Sequence, residues 1–103
     1  MELEKLKALL EGTGLPVTYL AWPEGQAPAL PFLCYLAKDT DCLYADGEVY
    51  YTYDYVVVEL YTEYKSPVAE QTVEQALKGY HWKKSQDYLK SEKCFITIYE
   101  IEV

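Results

Sequence analysis

The sequence predicts an α+β fold: a single domain with a mostly antiparallel twisted sheet and two helices on one face. Two short amphipathic segments are separated by strand-like segments, and most links between strands are too short to hold a crossover helix. A chain of 103 residues is long enough for one domain, which buries roughly 65% of the surface of its unfolded chain. We therefore expect residues 1–103 to form one unit.

The two helices are predicted from the spacing of apolar residues. Leucines recur at helical spacing in residues 2–11, and Gly12 follows. Ser66 and Pro67 have the residue types of an N-cap and a first helical position, and Gly79 marks the end of this second helix. Its predicted apolar side consists of Ala69, Val73, Ala76, Leu77 and Tyr80. Its predicted polar side consists of Glu70, Gln71, Glu74, Gln75 and Lys78.

β-branched and aromatic residues predict the strands. The predicted strands are residues 17–22, 32–37, 49–62, 80–89 and 94–103. The third has the strongest signal, and it is either one long strand or two strands parted by a bulge near residues 52–54. Residues 23–31 contain three prolines and a glycine, which predicts a loop. Residues 38–48 are predicted to be an irregular connection or hairpin tip, because they are acidic and end in an Asp-Gly turn signal.

The composition argues against several classes of protein. The chain has 9 Lys+Arg against 17 Asp+Glu, a formal charge of −8. Specific nucleic-acid binding is not expected, because phosphate contacts require clustered cations. No apolar run approaches the ~20 residues of a membrane span, and charged residues interrupt the apolar N-terminus, so neither membrane association nor a signal peptide is expected. The three cysteines form no CxxC motif, which favours reduced thiols in an intracellular chain.

No residue pattern indicates catalysis, a cofactor or a metal. His81 is the only histidine and is followed by Trp82, Lys83 and Lys84, so we expect a structural or surface role for it. The cysteines are interpreted as small buried apolar residues. The acidic stretch lacks the ligand spacing of a calcium loop, and the sequence has no phosphate-binding or nucleophile motif. We therefore predict a protein that is not an enzyme.

Two groups of residues remain as candidates for intermolecular contacts. The first is the acidic stretch, with Asp39, Asp41, Tyr44, Asp46 and Glu48. The second is aromatic: Tyr51, Tyr53, Tyr55 and Trp82. Seven tyrosines lie between residues 44 and 64, and tyrosine is enriched at protein interfaces. The alternative for these tyrosines is a sheet face that packs under the helices or stays partly exposed.

Four short motifs occur in a distinctive order along residues 45–103. They are DGEVYY at 46–51, VELYT at 58–62, YLKSEK at 88–93 and IYE at 98–100. In this order and spacing the chain resembles the small tail-completion proteins of long-tailed bacteriophages and of prophages of Gram-positive bacteria. These are tail-terminator or tail-to-head joining proteins. The first 40 residues match them only in outline.

The resemblance implies a twisted, mostly antiparallel sheet with helices on one side. It also implies a homo-oligomeric ring, usually a hexamer, which caps the tail tube, ends its polymerisation and offers a docking surface to the head. The implied partners are other copies of the chain, the tail-tube protein and the head–tail connector proteins, without a cofactor. The implied location is the virion tail, after assembly in the host cytoplasm.

Within such a ring, the acidic stretch either contacts the neighbouring subunit or lines the channel through which DNA passes. A second interpretation belongs to a different class. In it the chain is a small ligand-binding or regulatory α+β module, without enzymatic activity, that uses its tyrosine-rich surface.

Overall fold

The computed structural model describes the backbone of residues 2–23, 25–45 and 48–102, and the side chains of residues 3–23, 25–37 and 55–101. These residues form two helices and one five-stranded sheet, which confirms the α+β prediction. The helices are α1 (Glu2–Glu11) and α2 (Pro67–Ala76). The strands are β1 (Val17–Tyr19), β2 (Phe32–Ala45), β3 (Glu48–Thr62), β4 (Trp82–Leu89) and β5 (Cys94–Glu102).

The strands lie in the order β1-β2-β3-β5-β4. Every neighbouring pair is antiparallel except β1 with β2, which is parallel, so the prediction of a mostly antiparallel sheet holds for all but one strand. The first strand is shorter than predicted: it ends at Tyr19, because Leu20 has a φ of 66° and turns the chain out of the strand. Residues 20–31 then lead to β2 without helix or strand in their described part, so the predicted loop of residues 23–31 begins three residues earlier.

Both helices pack on the same face of the sheet, as predicted. The core on this face is a single cluster of buried side chains from both helices, β2, β3 and β5. Its members are Leu6, Leu10, Leu33, Tyr35, Val56, Val58, Leu60, Val73, Leu77, Tyr99 and Ile101. The opposite face of the central strands is apolar as well, and Cys34, Val57, Cys94 and Ile96 are buried there. The middle of the sheet is therefore covered on both sides.

Of the two predictions for residues 38–48, the irregular connection was wrong, whereas a hairpin does close in this segment, between Ala45 and Glu48. Residues 38–45 continue β2, which pairs with β3 as far as Ala45 opposite Glu48. The strand prediction for 49–62 is confirmed as one strand, and the register shifts of this hairpin lie at Ala37/Asp39 and Leu43/Tyr44 instead of near residues 52–54. Acidic residues have low strand propensity, but cross-strand pairing with a tyrosine-rich partner overrides it.

The far part of this hairpin extends beyond the rest of the sheet. Pairing of β1 with β2 ends at Tyr35, and the described pairing of β5 with β3 ends at Tyr55. We call residues 38–45 of β2 and 48–54 of β3 the β2–β3 arm. At ~3.3 Å per residue the arm is roughly 23 Å long. It accounts for much of the elongated shape of the molecule, which measures 50 × 28 × 22 Å.

Helix α2 begins as predicted and ends early. The backbone N–H of Ala69 donates to Oγ of Ser66 at 3.3 Å, and Pro67 is the first helical residue. The helix ends at Ala76, and residues 77–79 form a turn instead of a last helical turn. Neither α1 nor α2 is long and apolar enough to cross a membrane.

Two adjacent leucines in α1 test the position of the core. Leu10 is fully buried and Leu9 is 37% exposed. We expect Leu10→Ala to lower the free energy of unfolding by about 2–5 kcal/mol, because it removes buried methyl groups and leaves a cavity. The matched control Leu9→Ala changes it by less than about 1 kcal/mol, since the site faces solvent in part. Urea unfolding followed by circular dichroism measures both, and equal effects would contradict the described packing.

Candidate functional site

The structure brings most of the predicted contact residues together on the β2–β3 arm. The acidic positions lie in β2 and at the start of β3, and the tyrosine positions lie directly across from them in β3. The pairs are Asp39 with Tyr55, Asp41 with Tyr53, Leu43 with Tyr51, Tyr44 with Val49 and Ala45 with Glu48. Asp46 lies outside the described residues. Tyr55, directly next to the arm, has a half-buried side chain, and the side chains of the arm itself lie outside the described part.

Trp82 does not join this group. It is the first residue of β4, an edge strand that β5 separates from β3, and it pairs with Ile101 of β5. Its ring meets the ring of Tyr99 edge-on at 5.4 Å, and 36% of its surface remains exposed. The predicted contact residues therefore occupy two separate places, the arm and the β4 edge.

The β4 edge is open to solvent. Seven of the eight residues of β4 are exposed. The strand is the last one in the sheet, so it pairs with β5 on one side and has no strand on the other side within the described residues. The backbone N–H of Tyr88 donates to Oδ1 of Asp87 at 2.8 Å, so this N–H is not used in the pairing with β5. An edge strand with free N–H and C=O groups is a template for pairing with another strand.

A polar network that the sequence did not predict lies under α2. Glu70, assigned to the polar side of the helix, is instead buried, with a side chain that is 5% exposed. Nζ of Lys84 lies 2.6 Å from its Oε1, and Nζ of Lys65 lies 3.0 Å from its Oε2. Nε2 of Gln86 donates to Oε2 at 3.3 Å. Burial acts to raise the pKa of Glu70, but the hydrogen bonds from Lys84, Lys65 and Gln86 outweigh it, so its pKa lies below 4.5.

The network continues from α2 into the sheet. Nζ of Lys84 also lies 2.7 Å from Oε2 of Glu74, which accepts a hydrogen bond from the hydroxyl of Tyr99 at 2.8 Å. Burial and the Glu74 carboxylate raise the pKa of Tyr99, so the phenol stays protonated and donates. Hydrogen bonds to Glu70 and Glu74 raise the pKa of Lys84, which therefore stays charged.

These pKa shifts are those of groups that are paired with one another. Each one stabilises the protonation state in which the group binds its partner, whereas a catalytic base, acid or nucleophile has a pKa moved toward the working pH. The two carboxylates of α2 are balanced by Lys65 and Lys84. The network joins α2 to β4 and β5. A sequence signal for it exists, since Glu70 and Glu74 share a helix face and the two β4 partners, Lys84 and Gln86, are two residues apart.

An apolar cleft of about 680 Å³ lies on the sheet face opposite the helices, under the loop of residues 20–31. Side chains from the loop, β2, β3 and the β4–β5 turn line it, among them Trp22, Leu30, Phe32, Tyr61 and Leu89. The rings of Trp22 and Phe32 meet edge-on at 5.9 Å. The volume is in the range of small-molecule sites.

Two cysteine thiols border this cleft. Cys34 and Cys94 are buried and not in a disulfide, as expected for small apolar residues, while the side chain of Cys42 lies outside the described part. Burial and the nearby Glu59 raise the pKa of Cys34 to about 11, and burial also raises that of Cys94. Both thiols are therefore protonated at neutral pH and are poor nucleophiles.

His81 is exposed, in agreement with the surface role expected for it. Among the described side chains, no group of three or more His, Cys, Asp or Glu is arranged to hold a metal ion. A comparison of the sequence with models of protein families and with curated proteins found no match.

The Glu70 network makes a prediction about pH. We expect Glu70→Gln to lower the free energy of unfolding by about 1–3 kcal/mol at pH 7, because charged hydrogen bonds to a buried carboxylate are lost. The pKa of Glu70 is lower in the folded state than in the unfolded state, so its contribution is fully present above pH 4.5 and disappears as pH falls through the folded pKa.

The difference in stability between wild type and Glu70→Gln should therefore shrink as the pH is lowered below 4.5. Urea unfolding at a series of pH values measures it. Glu63→Gln, at an exposed position outside the network, is the control and should change stability little at any pH. A difference that stays constant from pH 7 to pH 3 would contradict the ionic role of Glu70.

Proposed function

We propose that this chain is a tail-completion protein of a long-tailed bacteriophage or prophage. It forms an oligomeric ring that caps the tail tube, ends polymerisation and offers a docking surface to the head. The motif order described above supports the proposal. In the fold, the EVYY part of the first motif begins β3, VELYT ends β3 just before α2, and YLKSEK leads from β4 into β5.

One observation carries the proposal: the subunit exposes two different strand edges in separate places. The arm projects from β2 and β3, within the strand order, and β4 is an edge strand of the sheet. A ring requires heterologous contacts, in which one patch of a subunit meets a different patch of the next. A subunit with two distinct open edges meets this requirement.

The ionisable groups favour a structural role over a catalytic one. The thiols of Cys34 and Cys94 have raised pKa values, and the pKa shifts of Glu70, Lys84 and Tyr99 hold these groups in their paired states. None of these five groups is activated for proton transfer or nucleophilic attack. The proposed partners are other copies of the chain, the tail-tube protein and the head–tail connector proteins. Six subunits is the usual number in the proteins that the chain resembles.

Capping of tail tubes tests this function. Tubes are assembled from the tail-tube protein of the same genome, with and without the purified chain, and imaged by negative-stain electron microscopy. We expect a ring with a central hole at one end of each tube, and shorter tubes when the chain is present during assembly. An unrelated acidic protein of similar size is the control. Tubes that keep growing, with bare ends in the presence of the chain, would contradict the proposal.

The cleft favours a second candidate function, a small ligand-binding module. Its lining is mostly aliphatic and aromatic, but Tyr61 is its one tyrosine among the described residues, so the tyrosine-rich segment contributes little to it. This candidate predicts that an uncharged aromatic probe, N-phenyl-1-naphthylamine, binds saturably at one site per chain.

Two variants test whether the probe binds in the cleft. Ala27→Trp places a large ring in the cleft and should abolish it, while Val68→Trp, at a 75% exposed position on α2, should not. Fluorescence titration of the probe measures both. Weak binding without saturation, or equal binding by the two variants, would remove this candidate.

A further inference from the structure

We propose that the β2–β3 arm of one subunit lies along the β4 edge of the next copy of this chain and extends its sheet. The inference rests on the proposed ring, for which it identifies the subunit contact. It assigns the acidic stretch to assembly and not to the lining of a channel.

The backbone of β4 has outward-facing groups that this contact can use. The N–H of Tyr88 is directed away from β5 and donates to Oδ1 of Asp87, a local partner that it exchanges for the arm on contact. Because N–H and C=O groups of alternate residues in a strand point to the same side, the backbone groups of Trp82, Lys84 and Gln86 face outward with that of Tyr88. The strand therefore offers four residues for pairing along its outer side.

The arm has strand edges that lack a pairing partner within the described part of the chain. It is a two-stranded ribbon, and a ribbon of two strands is only marginally stable in water on its own. Neither of its strands has a second neighbour within the described residues, since β1 and β5 pair with other parts of β2 and β3. Residues 48–54 nearly match the eight-residue β4 in length and are rich in tyrosine, valine and threonine.

The charges of the arm and of the β4 edge are complementary, which favours another copy of this chain as the partner. Residues 38–54 contain five carboxylates and one lysine. Residues 82–93 contain four of the nine cations of the chain and two carboxylates. Of these four, Lys84 is paired with α2, whereas Lys83, Lys90 and Lys93 form no ion pair in the described structure.

The same charges disfavour a symmetric contact between arms. Two arms, each with five carboxylates and one lysine, repel each other, whereas an arm and the unpaired lysines of a β4 edge attract. The contact is therefore heterologous, from arm to edge, and it repeats around a ring. Trp82 and Tyr88, which are 36% and 43% exposed, add apolar surface to the edge that receives the arm.

Two variants test the contact, each with only one of its two sides intact. We call them the half-competent variants. Tyr88→Pro removes an outward N–H from β4 and keeps the arm, and Tyr88→Ala is its matched control, which loses the same ring and keeps the N–H. In the second variant an Asn-Gly link replaces residues 38–55 and joins Ala37 to Val56, which are paired in the native hairpin. This variant keeps the β4 edge and has no arm. Circular dichroism verifies that each variant is folded.

Sedimentation velocity gives the readout. We expect wild type and Tyr88→Ala to form species larger than a dimer as concentration rises, and each half-competent variant to remain a monomer. An equimolar mixture of the two variants should form a dimer and stop there, because it contains one arm–edge contact. A wild type that stays monomeric at millimolar concentration, or a mixture that stays monomeric, would overturn the inference. So would an armless variant that self-associates.

A charge variant provides an independent test if Tyr88→Pro fails to fold. Lys83→Glu with Lys90→Glu should weaken self-association by about tenfold at low salt, as expected for the loss of two ion pairs. Asp39→Lys with Asp41→Lys in the same chain should restore it. Unchanged self-association of the variant with Lys83→Glu and Lys90→Glu would overturn the inference.

These results separate the contact from the function. Capped tubes with a mixture that fails to dimerise would refute the contact alone. A dimer from the mixture, with tubes that remain uncapped, would refute the tail-completion function alone.

Discussion

The antiparallel pairing of β2 with β3 is the interaction on which the rest of the structure depends. It runs from Phe32 opposite Tyr61 to Ala45 opposite Glu48, and it forms both the centre of the sheet and the arm. Near its base, both helices pack against Leu33, Tyr35, Val56, Val58 and Leu60. The far half extends beyond its neighbours. The same ladder of hydrogen bonds therefore anchors the core and holds the proposed contact surface in place.

The two edge strands of the sheet, β1 and β4, differ in their surroundings. The short β1 is followed by a loop that packs on the sheet, whereas β4 is long and exposed, and its side chains on the helix side contact α2. There Lys84 and Gln86 reach the buried Glu70 of α2, so the position of the helix and the position of the edge strand are coupled. This coupling gives an otherwise exposed strand a fixed place, which a strand must have to receive a partner.

Local signals in the sequence predicted the elements well, and contacts between distant residues account for what was missed. The N-cap at Ser66, the apolar spacing of α1 and the β-branched and aromatic residues of β5 each depend on residues close in the chain. Residues 38–45 have poor strand propensity and become a strand because β3 pairs with them. Glu70 has the spacing of a surface residue, and its burial depends on Lys65, Lys84 and Gln86. The separation of the predicted contact residues into arm and edge could not be predicted, because it depends on the sheet order.

Hydrogen–deuterium exchange tests the central claim, the arm-to-edge contact, most directly. Exchange is measured by mass spectrometry on the wild-type chain at sub-micromolar and at near-millimolar concentration. We predict that the amides of residues 38–54 and of the outer side of β4, with Tyr88 among them, exchange more slowly at high concentration, while α1 and α2 are unchanged. Equal exchange at both concentrations, or new protection confined to the helices, would contradict the account.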